Sequence, residues 1–306
     1  MCIRDSFYTD WKWFGAIEYR GVFTKTLITR IVLFLIFGLV AAAITYVAGL
    51  LVWRGRGASM DMADLNSPVY QYRKSIESTM GVFLKAIPVL VGIVSGLLGQ
   101  ANWRPVMLFL NSHDFGVTDP QFNHDLGFYA FRLPVWSMLV NALSLLFAVC
   151  FLIALVGHYI LGGIRIGNRA AGVRGSLSKS ARTQLAVTAG IWMLLQVASY
   201  WLERYQLLYT KHSLFTGGSY TDINAYLPAK IILMIIGVFV AVAIFSAVVI
   251  KDLRIPGLAV VLMVLSALVI GQGWPLIMER FSVNPNRQAK EAESISRNIE
   301  STRFAY

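Results

Sequence analysis

Apolar residues in this chain come in long runs rather than in alternation. Six runs approach or exceed the roughly 20 residues that a helix needs to cross a bilayer. They cover residues 26–53, 80–100, 133–160, 184–201, 229–250 and 256–278. None alternates apolar and polar positions as a transmembrane barrel strand does. Six fully apolar core helices would need a larger soluble core than 306 residues can build. The pattern predicts an all-α fold, a polytopic transmembrane helical bundle with six spans, over residues 1–278. Polar residues return at 279–306, where Asn284-Pro285-Asn286 reads as a turn or helix start and Glu293 and Arg297 stand at i,i+4 spacing. This tail reads as the first helix of a missing extracytoplasmic domain.

Charge gives the expected orientation. Lys and Arg concentrate in the cytoplasmic loops of membrane proteins. The segments at 54–79, 161–183 and 251–255 hold 11 Lys/Arg against 4 Asp/Glu, while the opposite side holds 15 against 12 over a longer stretch. The first set is therefore expected inside, and the chain start, the loops at 101–132 and 202–228 and the tail from Glu279 outside. Trp53, Trp103, Trp136, Trp201 and Trp274 fall near the span edges, where amphipathic rings prefer to sit, while Trp192 is in mid-span. Met1–Ser6 lacks the apolar centre of a signal peptide. An outside start then calls for a further apolar segment before it, or for insertion of the first span with its N-terminus outward.

Composition narrows the function classes. Hydrophobic residues make up 57% and charged residues 14%, with a mean hydropathy of +0.61; soluble domains carry about 25% charged residues. The net charge of +11 is mainly a topology signal and makes no case for nucleic acid. The Gly-rich basic stretch at 162–175 has no phosphate-loop pattern and is expected to be a cytoplasmic loop touching anionic lipid. Cys2 and Cys150 are too few for a disulfide framework or a cysteine metal site.

Candidate chemistry is sparse. No Asp or Glu falls within the six runs, which weakens any case for ion coupling. Lys85 is shallow enough to snorkel, or could face an anion beside Pro88; Arg30 is equally shallow on the other side. His158 is expected at the inner interface. Asn141 and Gln196 are deeper polar residues that either bond between helices or bind substrate, and a transport path would be lined by Lys85, Asn141, Gln196 and Gln272. Gly92 and Gly96 form a G-x-x-x-G pair that permits close helix approach. In the loop at 111–132, His113, Asp119, His124 and Asp125 are weak metal candidates whose spacing matches no standard site. The aromatics Phe115, Phe122, Phe128, Tyr129 and Phe131 make a packed amphipathic elbow the simpler reading of this loop. No catalytic constellation and no cofactor are implied.

Several segments carry a family resemblance. They are Trp11–Phe14, Leu110–Tyr129, Arg204–Leu208, Tyr220–Ala229, Val283–Asn286 and Arg297–Tyr306. Together they resemble uncharacterised protein family 0182, a group of large bacterial multipass membrane proteins. The resemblance covers nearly the whole chain after Ser6, and the first six residues match nothing in the family. It implies a further span before the first one, a large extracytoplasmic domain after the last, and a cell-membrane location. It supplies no activity. The main expectation is a membrane anchor for a cell-envelope protein, with the lipid bilayer and envelope proteins as partners. A transporter or channel subunit is the first alternative, and an envelope enzyme with its active site outside this chain is the second.

Overall fold

A computed structural model of the protein describes residues 3–55, 68–165, 176–212, 215–250 and 254–305. Among the described residues six helices are long and apolar enough to cross a membrane. At most 33% of the apolar window of any of them is buried within the protein, and for the last only 6% is. Phe239 (71% exposed), Leu39 (67%) and Leu90 (65%) point outward from helix centres. Such surfaces are unfavourable in water and suit lipid. The described residues form two compact units.

The first unit contains α1 (Ile3–Ala16), α2 (Arg20–Arg54), α3 (Pro68–Ala101) and α4 (Trp103–Leu110). Trp11 and Phe14 pack on Phe23, folding α1 against the start of α2. α2 and α3 run antiparallel, because Phe34 meets Gly96 while Leu84 meets the position of Gly49. Their closest approach is at Gly38 and Gly92. A Cβ added to Gly92 would lie 2.9 Å from the Gly38 carbonyl oxygen and 3.0 Å from the Ala42 Cβ. Gly96 likewise lies against Phe34, and Gly99 against Phe37. Close contact of this kind replaces the hydrophobic drive that is missing between helices in lipid. α3 runs unbroken through Pro88, so the backbone does not open beside Lys85, whose side chain is exposed.

The second unit contains α5 (Leu133–Ile160), α6 (Lys179–Gln206), α7 (Leu227–Ser246), α8 (Arg254–Leu268), α9 (Trp274–Met278) and α10 (Arg287–Ala305). A two-residue antiparallel pairing, Ile164–Arg165 with Ser176–Leu177, links α5 to α6. Arg169 and Arg174, on which the lipid contact was expected, lie outside the described residues. Ser178 caps α6 by accepting the Ala181 N–H at 3.2 Å. The core joins Met193 of α6, Leu233, Val240, Ala241 and Ile244 of α7, and Met263 of α8. Packing adds features that the sequence did not show. His158, in the last turn of α5, is buried (1% exposed) and its Nε2 donates to Gln184 Oε1 at 2.9 Å. α6 continues past 201 to Gln206, carrying Glu203 along. Glu203 there accepts from Ser199 Oγ at 2.7 Å and pairs with Lys230 in the first turn of α7.

Proline sets the shape of this unit. Leu133, Leu227, Trp274 and Asn284 each precede a proline, and each donates its N–H to the carbonyl five residues back. The acceptors are Phe128, Asp222, Val269 and Glu279. A proline has no N–H to give, and its ring clashes with the carbonyl four residues back. A widened five-residue turn relieves the clash and keeps the neighbouring N–H bonded.

The glycine contact in the first unit has a measurable consequence. Gly92→Leu should destabilise the protein by about 1–3 kcal/mol through overpacking. Gly81→Leu, on the same helix with nothing within 4 Å of an added Cβ, should be close to neutral. Thermal unfolding of both variants in one detergent checks this.

Candidate functional site

Polar chemistry in the second unit gathers at the end where α6 finishes and α7 begins. Two widened turns start there, at Asp222 and at Glu279. They turn both carboxylates toward one cavity of about 240 Å³. Its polar wall is His212, Ser219, Thr221, Asp222, Glu279, Arg287 and Glu291, and Phe215, Tyr226, Pro275 and Leu276 complete it. π-helical turns of this type recur at functional sites.

The hydrogen bonds of the cavity are specific. Asp222 (3% exposed) accepts at one oxygen from His212 Nε2 at 2.7 Å and from the Ser219 N–H and Oγ, both at 2.9 Å. Glu279 accepts from Thr221 Oγ1 at one oxygen and from Arg287 at 2.8 Å at the other. Glu291 (5% exposed) accepts the Tyr220 N–H at 3.1 Å. Ser219, His212 and Asp222 are the residue types of a hydrolytic triad but not its geometry. The hydroxyl and the imidazole both donate to Asp222, so the histidine is not placed to take a proton from the serine.

A second, smaller cavity of about 160 Å³ lies between α5 and α6. Ser137, Asn141, Ser199, Glu203 and Gln206 line it, and Gln206 donates to Ser137 Oγ at 2.8 Å. This is where the structure places Asn141. Gln196 is half-buried and Gln272 exposed, and neither lines either cavity.

The loop at 114–127 is organised by its two aspartates. Asp119 accepts the N–H groups of Gln121 (2.7 Å), Phe122 (2.8 Å) and His124 (3.1 Å) and the Tyr129 hydroxyl (2.7 Å). Asp125 accepts from Phe115 (2.9 Å), Gly116 (2.8 Å) and Gly127 (2.6 Å). Gly116, with φ +74°, supplies a left-handed turn that suits glycine. Burial pushes the Asp119 carboxyl up, but its four donors outweigh this and hold it below the ordinary value. The Phe115 N–H leads the donors that hold Asp125 low. His124 stacks in an aromatic group with Phe122, Phe128 and Tyr205, the last contributed by α6. Arg204 stacks on Trp201 with its guanidinium carbon 3.3 Å from the ring centre. Asp119 and Asp125 spend their oxygens on loop donors, and among the described residues no three His, Cys, Asp or Glu side chains are grouped to hold a metal ion.

The cavity residues carry no signature that sequence alone would single out. His212, Asp222, Glu279 and Glu291 are spread over 80 residues and show no motif spacing. The one usable signal is Tyr226-Leu-Pro and Val283-Asn-Pro, two X-Pro steps each following an acid at the same distance.

Six membrane-length helices among the described residues mark a multi-pass helical membrane protein. A family model described as "Uncharacterised protein family (UPF0182)" matches residues 2–306, and the chain belongs to that family. The match starts before Ser6, which corrects the expectation that the first six residues fall outside it. A UPF0182 protein of Corynebacterium glutamicum (strain R) is 59% identical over 300 residues, covering 98% of this chain and 30% of the relative. One from Corynebacterium diphtheriae is 56% identical over 299 residues, with the same 98% and 30% coverage. One from Rhodococcus erythropolis is 48% identical over 301 residues, covering 98% of this chain and 31% of the relative. The chain thus spans about 30% of the length of these curated relatives. No solved structure matches it.

The loop makes a pH-dependent prediction. A carboxylate with a lowered folded pKa stabilises above its ordinary value of about 3.9 and loses that contribution as pH falls through the lowered value. Protease resistance at 114–127 should hold at pH 5 and fail only below about pH 4. Asp119→Ala should abolish it at every pH, at a cost of about 1–3 kcal/mol for the orphaned N–H groups. Mass mapping of cleavage sites reads both outcomes.

Proposed function

We propose that this chain is the membrane-embedded anchor of a cell-envelope protein, with its α6–α7 end outside the cell. One observation carries the reading. The polar helix α10 comes directly after the last apolar helix and is tied at its base to the 216–220 loop. Glu291 holds the Tyr220 N–H at 3.1 Å, Lys290 donates to the Tyr220 hydroxyl at 3.1 Å, and Asn298 donates to the Thr216 carbonyl at 2.8 Å. These contacts span more than two helical turns. A helix pinned in this way is a stalk, able to hold a downstream domain at a fixed angle, rather than a free linker. The relatives, about three times as long and from bacteria, agree with a further domain carried by such a stalk. The basic stretch at 162–175 rests on anionic lipid in this scheme, and the exposed face of α10 meets envelope proteins.

A transporter or channel subunit is the second reading, supported by the polar cavity around Asn141 and Glu203. It is weaker because Lys230 already neutralises Glu203. Lys85 lines neither cavity.

Cysteine labelling tests the orientation. Thr216 and Lys179 are exposed on opposite ends of the second unit, and Cys150 is buried. In a Cys2→Ser background, an impermeant maleimide on intact cells should label Thr216→Cys and leave Lys179→Cys unlabelled until the cells are opened. The reverse pattern overturns the topology.

A further inference from the structure

The charges around the larger cavity do not all find partners. His212 pairs with Asp222, and Arg287 with Glu279. Glu291 remains. It is 5% exposed, lines the cavity, and among the described residues accepts a hydrogen bond from the Tyr220 N–H. Among the described residues no cation lies within 4 Å of Glu291, since Arg287, one helical turn back on the same wall, is held by Glu279; a largely buried carboxylate without a close counter-charge is costly. The three carboxylates do not converge as metal ligands. With Asp222 and Glu279 already paired, what the cavity lacks is a cation for Glu291. At about 240 Å³ the cavity is below the roughly 300–1,000 Å³ of drug-sized pockets, so the occupant is small. Phe215, Tyr226 and Leu276 supply an apolar and aromatic wall, which suits the carbon of a cation as well as its charge.

We infer that this cavity binds a small organic cation, with an ammonium group on Glu291 and its carbon chain against Phe215, Tyr226 and Leu276. The inference stands apart from the anchor reading, since it concerns a ligand and not the placement of a domain. Bound there, the ligand bridges α10 to the 215–226 segment, because Glu291 belongs to the first and the aromatic residues to the second.

The test uses the purified chain in lipid nanodiscs. Alkylammonium chlorides of two to six carbons are titrated, with the matching neutral alcohols and calcium chloride as comparisons, and the unfolding midpoint is followed. At least one alkylammonium should raise the midpoint saturably, and its alcohol should not. Glu291→Gln keeps an amide oxygen for the Tyr220 N–H and should weaken the apparent affinity tenfold or more. Glu293→Gln, on the exposed side of the same helix, should leave it unchanged. Phe215→Ala should weaken it several-fold without changing any charge, and decides the matter if Glu291→Gln does not fold. Equal effects of alcohol and ammonium, a saturable response to calcium alone, no saturable response at all, or full affinity in both Glu291→Gln and Phe215→Ala overturns the inference.

Discussion

The structure depends on one constraint, that a main-chain N–H or carbonyl inside an apolar helix has no water to turn to. Regular helix satisfies it everywhere except at proline. This chain places prolines at 134, 228, 275 and 285, where helices begin or change direction. Each is answered in the same way, by the preceding residue reaching back five positions instead of four. The widened turn adds a residue to the local repeat and rotates the segment before it. At Asp222 and Glu279 that rotation brings two acids from distant segments to one cavity wall. Proline is thus both a defect in the ladder and the device that assembles the polar site.

Between the helices the physics is different. Lipid chains are as apolar as leucine, so helices gain little from hiding apolar surface from one another. α2 and α3 instead meet at glycine, main chain against main chain. The second unit uses a mixed core of aliphatic side chains and small residues, with Gly190 under Phe245 and Gly237 under Val197. At its loop end, packing gives way to hydrogen bonds. Asp119 and Asp125 fold one loop, Asp222 and Ser219 fold another, and Glu291 ties α10 to it. Each of these acids takes main-chain donors that a loop would otherwise leave to solvent.

Much of the architecture was legible in the sequence, because span length and apolarity are properties of local runs. The six runs correspond to the six membrane-length helices, and Asn284-Pro285-Asn286 does open the last helix. Gly92 and Gly96 could be read as a packing stripe because the spacing alone places them on one helix face. Span edges were less legible. The run ending at 201 stops where apolarity stops, but the helix continues to Gln206 because Lys230 offers Glu203 a partner from the next helix. The same limit applies to the site. His124 and Asp125 drew attention by adjacency, yet their roles are stacking and loop closure. Glu291 looked like one polar residue in a polar tail, and only the fold shows that it is buried and faces a cavity.

The polar end of the second unit rests on two proline-induced turns that converge Asp222 and Glu279 on a shared cavity. An experimentally determined structure of the chain in lipid nanodiscs, clear enough to trace main-chain hydrogen bonds, tests this most directly. It should show the Leu227 N–H on the Asp222 carbonyl, the Asn284 N–H on the Glu279 carbonyl, and both carboxylates on one cavity with Glu291. Regular four-residue spacing through 222–226 and 279–283, with the two acids on separate faces, would contradict it.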